Sequence, residues 1–282
     1  MTAVSIKAEL LKAQKGEYAI PLFDVFDMFG VEGVMEALTI KRAPTIIAIY
    51  SPFATRTNSK AFAAYILTRA ADTDVPVTLM LDHGVSVEAC LQALEYGFTD
   101  VMYDGSSLPV DENIANTRKV VEAAHSCGVT VEAELGHVGV GADYEIEGKV
   151  RSWFTNPDTV EYFIHETGVD YLAIAFGNAH GLYKGKPQLD FDLVREVRSR
   201  VSVPLVMHGG TGLSDEQFQG AIAAGISKIN FATSIINTSV ENMKKAANDE
   251  KASLFSITDG IKAAYSSWCS RLYDVFGTTG KA

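Results

Sequence analysis

Short apolar runs alternate along this chain with longer segments in which apolar residues recur at helical spacing. Apolar runs of about four to eight residues are typical of buried strands, and longer amphipathic segments are typical of helices. The predicted strands are residues 18–23, 45–50, 76–81, 100–103, 129–134, 171–176, 203–207 and 227–231. The predicted helices are residues 5–15, 31–39, 59–71, 86–96, 109–126, 157–167, 191–200 and 214–224, followed by a helical segment to about residue 276. Ser59, Ser86 and Ser214 are the predicted N-caps of their helices.

Eight strand–helix units, opened by one extra helix, predict a parallel α/β sheet. With eight apolar strands in 282 residues, closure into a (β/α)8 TIM barrel is favoured, with further helices at the C-terminus. No glycine-rich dinucleotide fingerprint follows the first strand, which disfavours an open doubly wound sheet. Because no linker or low-complexity segment interrupts the pattern, we expect residues 1–282 to form a single domain.

Composition narrows the function classes. The formal net charge is −11 and no basic cluster is present, so nucleic acid is not an expected partner. The three cysteines lack the spacing of metal ligands, and their small odd number indicates a reducing compartment. The N-terminus has no signal-peptide pattern, and no apolar run reaches the ~20 residues of a membrane span. We therefore expect a cytoplasmic protein with no membrane partner.

Three of the predicted strands have a histidine, with a glycine beside it, at or just past their C-terminal ends. These histidines are His83, His180 and His208. In barrels of this type the catalytic groups come from the C-terminal ends of the strands, and three protein ligands with one open position describe a catalytic zinc site. A lone histidine would be interpreted as a hydrogen-bonded core residue, but three at matched positions favour a metal centre. The other polar residues at strand ends are Asp24, Ser51, Asp82, Asp104, Glu134 and Asn230.

Two loops rich in glycine and hydroxyl groups follow the last two predicted strands, Gly209-Gly210-Thr211-Gly212 and Asn230-Phe231-Ala232-Thr233-Ser234. Each leads into a predicted helix, and backbone N–H groups at helix N-termini bind phosphate at this place in barrels. A metal, a phosphate site and Asp82 as a proton carrier suit aldol cleavage or condensation, although isomerisation needs similar groups. The loop 136–153 lacks periodicity, and its length is that of an active-site lid.

Motifs along nearly the whole chain resemble those of the class II, zinc-dependent ketose-bisphosphate aldolases, especially the tagatose/fructose-bisphosphate branch. The matching motifs are Tyr18-Ala19-Ile20-Pro21, Leu81-Asp82-His83-Gly84, Asp104-Gly105-Ser106, Val131-Glu132-Ala133-Glu134-Leu135-Gly136, Gly177-Asn178-Ala179-His180-Gly181, His208-Gly209-Gly210-Thr211-Gly212 and the closing Gly-Lys-Ala tail. Together these motifs are highly specific. They imply an enzyme that cleaves a ketose 1-phosphate or 1,6-bisphosphate reversibly into dihydroxyacetone phosphate and an aldehyde.

The resemblance also implies roles for individual residues. The catalytic Zn²⁺ would be bound by His83, His180 and His208, and Asp82 would be the proton donor that deprotonates the C4 hydroxyl during cleavage. The residues implied to hold the phosphorylated sugar are Asp24, Ser51, Gly181, Gly209, Gly210, Thr211, Asn230, Phe231, Ala232 and Thr233. Asp104 and Glu134 match a second, vacated zinc position. A monovalent cation, Na⁺ or K⁺, near the phosphate and a homodimer or homotetramer are further expectations.

Three residues depart from the family pattern around the substrate rather than the metal. Asp24 stands where asparagine is usual, and Phe53 stands where a small glycine is usual. Ala142 stands where a glutamate of the mobile loop acts on the triose carbon, and Asp143 or Glu145 would be the substitute. Either the substrate is not the ordinary bisphosphate or the proton transfer at carbon is done differently.

Two alternative functions remain open on the residues alone. One is a metal-dependent sugar-phosphate isomerase or hydrolase, which would use the same ring of strand-end residues. The other is a catalytically weak sugar-phosphate-binding homologue, which the alanine at position 142 suggests. For a second phosphate at the far end of the substrate, the candidate cations are Arg56, Lys184 and Arg271, the last from a neighbouring subunit.

Overall fold

The computed structural model describes residues 3–54, 58–141 and 152–282. Eight parallel strands form a closed barrel in which neighbours pair in chain order and the last strand returns to the first. The strands are β1 Ile20–Asp24, β2 Thr45–Tyr50, β3 Val77–Gly84, β4 Asp100–Tyr103, β5 Thr130–Leu135, β6 Tyr171–Ile174, β7 Leu205–Met207 and β8 Ile226–Phe231. The helices of the described residues are α1 Lys7–Gly16, α2 Met28–Lys41, α3 Ser51–Ala54, α4 Ser59–Ala71, α5 Val87–Glu95, α6 Val110–Ser126, α7 Pro157–Thr167, α8 Phe191–Arg200, α9 Asp215–Ala224, α10 Thr233–Ala247 and α11 Leu254–Val275. The predicted (β/α)8 barrel, with an extra N-terminal helix and further C-terminal helices, is confirmed.

The buried apolar residues form two separate cores, because successive side chains of a strand point to opposite faces. One core lies between the strands and the surrounding helices. The other fills the inside of the barrel and includes Tyr171 of β6 together with Ile6 and Leu10 at the N-terminus. The backbone N–H of Ile6 also hydrogen-bonds to Asp100, the first residue of β4. Helix α1 therefore covers the N-terminal end of the barrel, which leaves the C-terminal ends of the strands for a site.

Helix caps set most of the helix boundaries. Ser86 and Ser214 cap α5 and α9 as predicted, with their side chains accepting backbone N–H groups. The prediction that Ser59 caps α4 is wrong, because Asn58 Oδ1 accepts the backbone N–H of Ala61 at 3.1 Å. An asparagine side chain is as good an N-cap as serine, and here it stands one residue earlier.

Other predicted boundaries also differ from the structure, including those of the C-terminal helical segment, β7 and β3. The C-terminal helical segment is two helices, because Ser253 starts α11 with a reciprocal capping box to Ser256. Strand β7 begins only at Leu205, after Pro204, which has no N–H to pair. Strand β3 continues to Gly84 rather than ending at residue 81. No helix in the described part of the chain combines the length and the apolar composition needed to cross a membrane.

Candidate active site

The end of β3 is bent so that two adjacent side chains reach one cluster. In a regular strand Asp82 and His83 would point to opposite faces. The pairing of β3 with β4 shifts register between Leu81 and Gly84, and His83 adopts a φ of 49°, which is uncommon for a residue other than glycine. Asp82 Oδ2 consequently lies 3.9 Å from His83 Nε2. Unusual backbone conformations of this kind cluster at functional sites.

His83, His180 and His208 converge at the C-terminal end of the barrel. One ring nitrogen of each lies within 4.8 Å of those of the other two, and His83 Nε2 is 2.9 Å from His208 Nδ1. His180 Nε2 is buried and has no hydrogen-bond partner among the described residues. Because a buried polar atom without a partner is costly, this nitrogen indicates that a ligand belongs between the three rings.

The second nitrogen of each ring is held by an oxygen acceptor. The pairs are His83 Nδ1 with Asp104 Oδ2 at 2.8 Å, His208 Nε2 with Glu132 Oε1 at 2.7 Å, and His180 Nδ1 with the Val138 carbonyl at 3.2 Å. Metal-binding histidines donate their other N–H to a carboxylate or carbonyl in this way, which sets the tautomer and the ring orientation. The donor set therefore fits one divalent cation bound by His83 Nε2, His180 Nε2 and His208 Nδ1.

The charges around the three rings also favour a cation. Burial lowers the pKa of His83, but the negative charge of Asp82 and the hydrogen bond to Asp104 outweigh burial and raise this pKa to about 10. Burial, and next the positive charge of His83, lowers the pKa of His180 and of His208. The cluster thus stabilises one positive charge, which a bound divalent cation would supply in place of the proton on His83, leaving all three imidazoles neutral as metal ligands must be.

Asp104 and Glu134 form a second group with His83, in which the candidate ligand atoms also lie within 4.8 Å of one another. Glu134 Oε1 accepts the backbone N–H of Val138 at 2.8 Å, whereas Oε2 is buried without a partner among the described residues. Burial, and next the charge of Asp104, raises the pKa of Glu134 to about 8. The arrangement is compatible with the predicted second, vacated zinc position.

Asp82 lies beside the three-histidine cluster, with Oδ2 3.9 Å from His83 Nε2, and is only 3% exposed. The side-chain Nδ2 of Asn230 donates a hydrogen bond of 2.8 Å to Asp82 Oδ1, and the same Nδ2 lies 3.3 Å from His208 Nδ1. The amide thus fixes the carboxylate at the edge of the three-histidine cluster. A carboxylate held there is within reach of a substrate hydroxyl, as a general acid–base group must be.

Asp24 ends β1 and is buried. Burial, and next the negative charge of Asp82, raises the pKa of Asp24 well above its ordinary value. Its Oδ1 has no hydrogen-bond partner among the described residues. The shift favours the uncharged form of Asp24, which is close to asparagine in shape.

Two charged residues of this site have no role in the sequence prediction. Glu132 on β5 and Lys228 on β8 are both fully buried inside the barrel, and Lys228 Nζ lies 2.8 Å from Glu132 Oε2. Lys228 also donates to Asn230 Oδ1 at 2.7 Å. The available signal was spacing, since Glu132 precedes Glu134 by two residues and Lys228 precedes Asn230 by two, and such pairs share one face of a strand.

The Gly209–Gly212 loop packs against the segment that carries His180 and against the loop after β8. Gly209 has a φ of 73°, and a Cβ at this position would lie 2.2 Å from the carbonyl oxygen of Ala179, so the close approach requires glycine. The backbone N–H of Gly210 donates to the Asn230 carbonyl at 3.3 Å, and that of Ser234 donates to Thr211 Oγ1 at 3.4 Å. Residues predicted to hold phosphate are therefore brought together.

The two following helices begin differently. Helix α9 is closed by the reciprocal capping box of Ser214 and Gln217. At helix α10, which begins at Thr233, the N-cap residue makes no side-chain cap, and the first-turn N–H of Ser234 donates to Thr211 Oγ1. Helix N-termini of this kind bind anions. Gly181, also predicted to contact phosphate, has a φ of 80° and no described atom within 4 Å of a Cβ placed there.

The remaining predicted substrate residues, including the cations proposed for the far end of the substrate, are less clustered. Ser51 is buried at the start of α3, and Phe53 packs edge-to-face on Phe26 with ring centroids 5.1 Å apart. Lys184 is exposed, whereas Arg271 is paired with Asp215 of its own chain. Four predicted positions, Arg56, Ala142, Asp143 and Glu145, lie outside the described residues.

Comparisons with known proteins extend over the whole barrel. The family model described as class-II fructose-bisphosphate aldolase matches residues 4–281. The chain is 40% identical over 246 residues to the fructose-bisphosphate aldolase of Geobacillus stearothermophilus, covering 83% of this chain and 82% of that protein. It is 36% identical over 270 residues to the uncharacterized protein YdjI of Escherichia coli K12, covering 96% of each. The crystal structure of the YdjI aldolase has a TM-score of 0.90 to this chain at 32% identity, covering 99% of each.

Proposed function

The chain belongs to the class II fructose-bisphosphate aldolase family, and from that premise we propose a zinc-dependent aldolase whose substrate is a ketose 1-phosphate or 1,6-bisphosphate. The products of reversible cleavage are dihydroxyacetone phosphate and an aldehyde. The observation that carries the proposal is the convergence of three imidazole nitrogens within 4.8 Å. Each of these rings has its second nitrogen held by an oxygen acceptor.

The metal would be held by His83, His180 and His208, a ligand set of imidazoles that suits Zn²⁺. A bound divalent cation supplies Lewis acidity toward the substrate carbonyl oxygen. The hydrogen bonds to Asp104 and Glu132 favour the tautomers of His83 and His208 that would leave a lone pair for such a cation. The two carboxylates would therefore influence the metal through its histidine ligands.

Asp82 carries the proton of the substrate hydroxyl. During cleavage the C4 hydroxyl proton moves to Asp82 as the C3–C4 bond breaks, C4 becomes the aldehyde carbon, and the electron pair of the bond stays with the triose, whose C3 then takes a proton from solvent to give dihydroxyacetone phosphate. In condensation the same carboxyl returns its proton to the C4 oxygen. The hydrogen bond from Asn230 Nδ2 holds Asp82 Oδ1 in place for this transfer.

The phosphate of the triose is assigned to the loops after β7 and β8. This assignment rests on the position of the Gly209–Gly212 loop and of the N-terminus of α10, because helix N-termini bind anions. The close contact of Gly209 with the Ala179 carbonyl brings this loop against the segment that carries His180. The proposed phosphate site therefore adjoins the proposed metal site.

The proposal is tested by measuring release of dihydroxyacetone phosphate from a panel of ketose phosphates, with and without a chelator. We expect release from at least one ketose phosphate, abolished by chelation and restored by Zn²⁺. Turnover that is unchanged in the presence of the chelator would refute a role for the metal. Conversion to an isomeric sugar or to inorganic phosphate would indicate an isomerase or hydrolase, and binding without turnover would indicate a silent homologue.

A further inference from the structure

Lys228 is a charged side chain in the interior of the barrel. It is 0% exposed, as is Glu132, with which it forms an ion pair. Burying two charges costs free energy that their mutual attraction often fails to recover, so a buried pair is poor evidence for a stabilising role. The position of Lys228 therefore calls for an explanation other than stability.

The ammonium group of Lys228 determines how the Asn230 amide is turned. A lysine ammonium can only donate hydrogen bonds, and its contact with this amide is 2.7 Å from Nζ to Oδ1. With the oxygen facing Lys228, the Nδ2 end must face Asp82, where it donates at 2.8 Å. The reversed amide would place two oxygens together at Asp82 and two donors together at Lys228.

The same ammonium connects the proton carrier with the metal site. Glu132 uses Oε1 for His208 Nε2 at 2.7 Å and Oε2 for Lys228 at 2.8 Å, the latter as an ion pair without good hydrogen-bond alignment. Asn230 Nδ2 in turn lies 3.3 Å from His208 Nδ1. The ammonium group of Lys228 thus contacts both Glu132, which holds His208, and Asn230, which holds Asp82.

We propose that Lys228 is a positioning residue for this reaction: anchored by Glu132, it holds the Asn230 amide in the orientation that presents an N–H to Asp82. The inference rests on the proposed function, because that function gives Asp82 the transfer of the C4 hydroxyl proton. Lys228 itself does not touch the substrate. Its contribution to catalysis passes through the amide.

The test compares Lys228→Met, Asn230→Ala and the double variant, each loaded with Zn²⁺. In Lys228→Met we expect kcat for ketose phosphate cleavage to fall about 10- to 100-fold, as for other groups that orient a metal site, with KM and zinc content unchanged. In the Asn230→Ala background, Lys228→Met should lower kcat little further, because the effects of substituting two residues that act through one another do not add. An additive loss would overturn the proposal.

A second reaction separates positioning from general damage. Exchange of a carbon-bound hydrogen of dihydroxyacetone phosphate with deuterium from D2O requires no transfer at a C4 hydroxyl. Lys228→Met should therefore slow cleavage much more than exchange, whereas a loosened barrel would slow both equally. Equal slowing of the two reactions would count against the proposal.

A third readout does not depend on activity. In protein labelled with [15N]asparagine, the side-chain signal of Asn230, identified by its loss in Asn230→Ala, should shift in Lys228→Met. If Lys228→Met fails to fold with Glu132 unpaired, the neutral double variant Glu132→Gln/Lys228→Met takes its place. If the Asn230 signal does not shift in Lys228→Met, the inference is refuted. If the signal shifts but the wild-type protein has no aldolase activity, only the proposed function is refuted.

Discussion

Replacing Gly209 by alanine would test whether the contact between the Gly209–Gly212 loop and the segment that carries His180 is needed for catalysis. The residue has a φ of 73°, and its new Cβ would lie 2.2 Å from the Ala179 carbonyl oxygen and 2.4 Å from the carbonyl carbon. Ordinary contacts of a Cβ begin near 3.4 Å, so the loops must separate by about 1 Å. The opposing atoms are backbone, and no side-chain rotation can relieve the overlap.

The expected effects follow from two separate contributions. The left-handed conformation costs an alanine about 1–2 kcal/mol, which lowers the free energy of unfolding. The displaced loop carries phosphate-binding amides and adjoins His180, and a displacement of 1 Å in an active site can reduce the rate about 100-fold. We therefore expect kcat/KM for release of dihydroxyacetone phosphate to fall about 100-fold.

Gly128→Ala is the matched control for this experiment. Gly128 also has a φ of 73°, but no atom lies within 4 Å of a Cβ placed there, and it follows the C-terminal end of α6, away from the site. Thermal unfolding should report a loss of stability in both variants, larger in Gly209→Ala because of the overlap, while only Gly209→Ala loses activity. Equal kcat/KM values in the two variants would refute the reasoning.

Three further predictions concern the proton carrier, the metal and a buried carboxyl. Asp82→Ala should keep its zinc by elemental analysis but lose cleavage by at least ~100-fold, as general acid–base groups typically contribute that much or more; unchanged turnover would remove Asp82 from the mechanism. His208→Ala should lose the metal, and full zinc occupancy would mean that the ligand set is wrong. Burial raises the pKa of Asp100 from 3.8 to about 7, although Thr130 and Tyr171 donate hydrogen bonds to it. Its protonated form thus stabilises the fold at low pH, and this contribution of about 4 kcal/mol is lost as the pH rises through 7. Asp100→Asn should flatten that part of the pH dependence in denaturant unfolding, and an unchanged slope would contradict it.

The order of elements follows directly from the chain. Strands β2 and β4 and helices α4, α7 and α8 have the predicted bounds, because apolar periodicity and turn residues are local properties. The three histidines could be placed at one end of the barrel for the same reason, since parallel strands put all their C-terminal ends together. Their convergence within 4.8 Å agrees with that prediction.

The local sequence pattern could not show that Glu132 and Lys228 form a pair in the site. A charged residue inside a strand is read as facing solvent, and only the closed barrel shows that these two residues, from β5 and β8, meet across its interior at 2.8 Å. The N-cap at Asn58 was missed for a simpler reason, since adjacent Asn58 and Ser59 are both good caps. The choice between them depends on where the backbone turns.

The sequence by itself determines the barrel fold, the end of the barrel that carries the site and the residue types at that end. The reason is that the alternation of strands and helices, and the side of a strand on which each side chain lies, depend on residues that are close in sequence. Tertiary structure alone decided that Asp82 and His83 act on the same side. That outcome requires the register shift between β3 and β4 and the φ of 49° at His83. The physical reason is that a bulge depends on the pairing of two strands, and no periodicity within one strand records it.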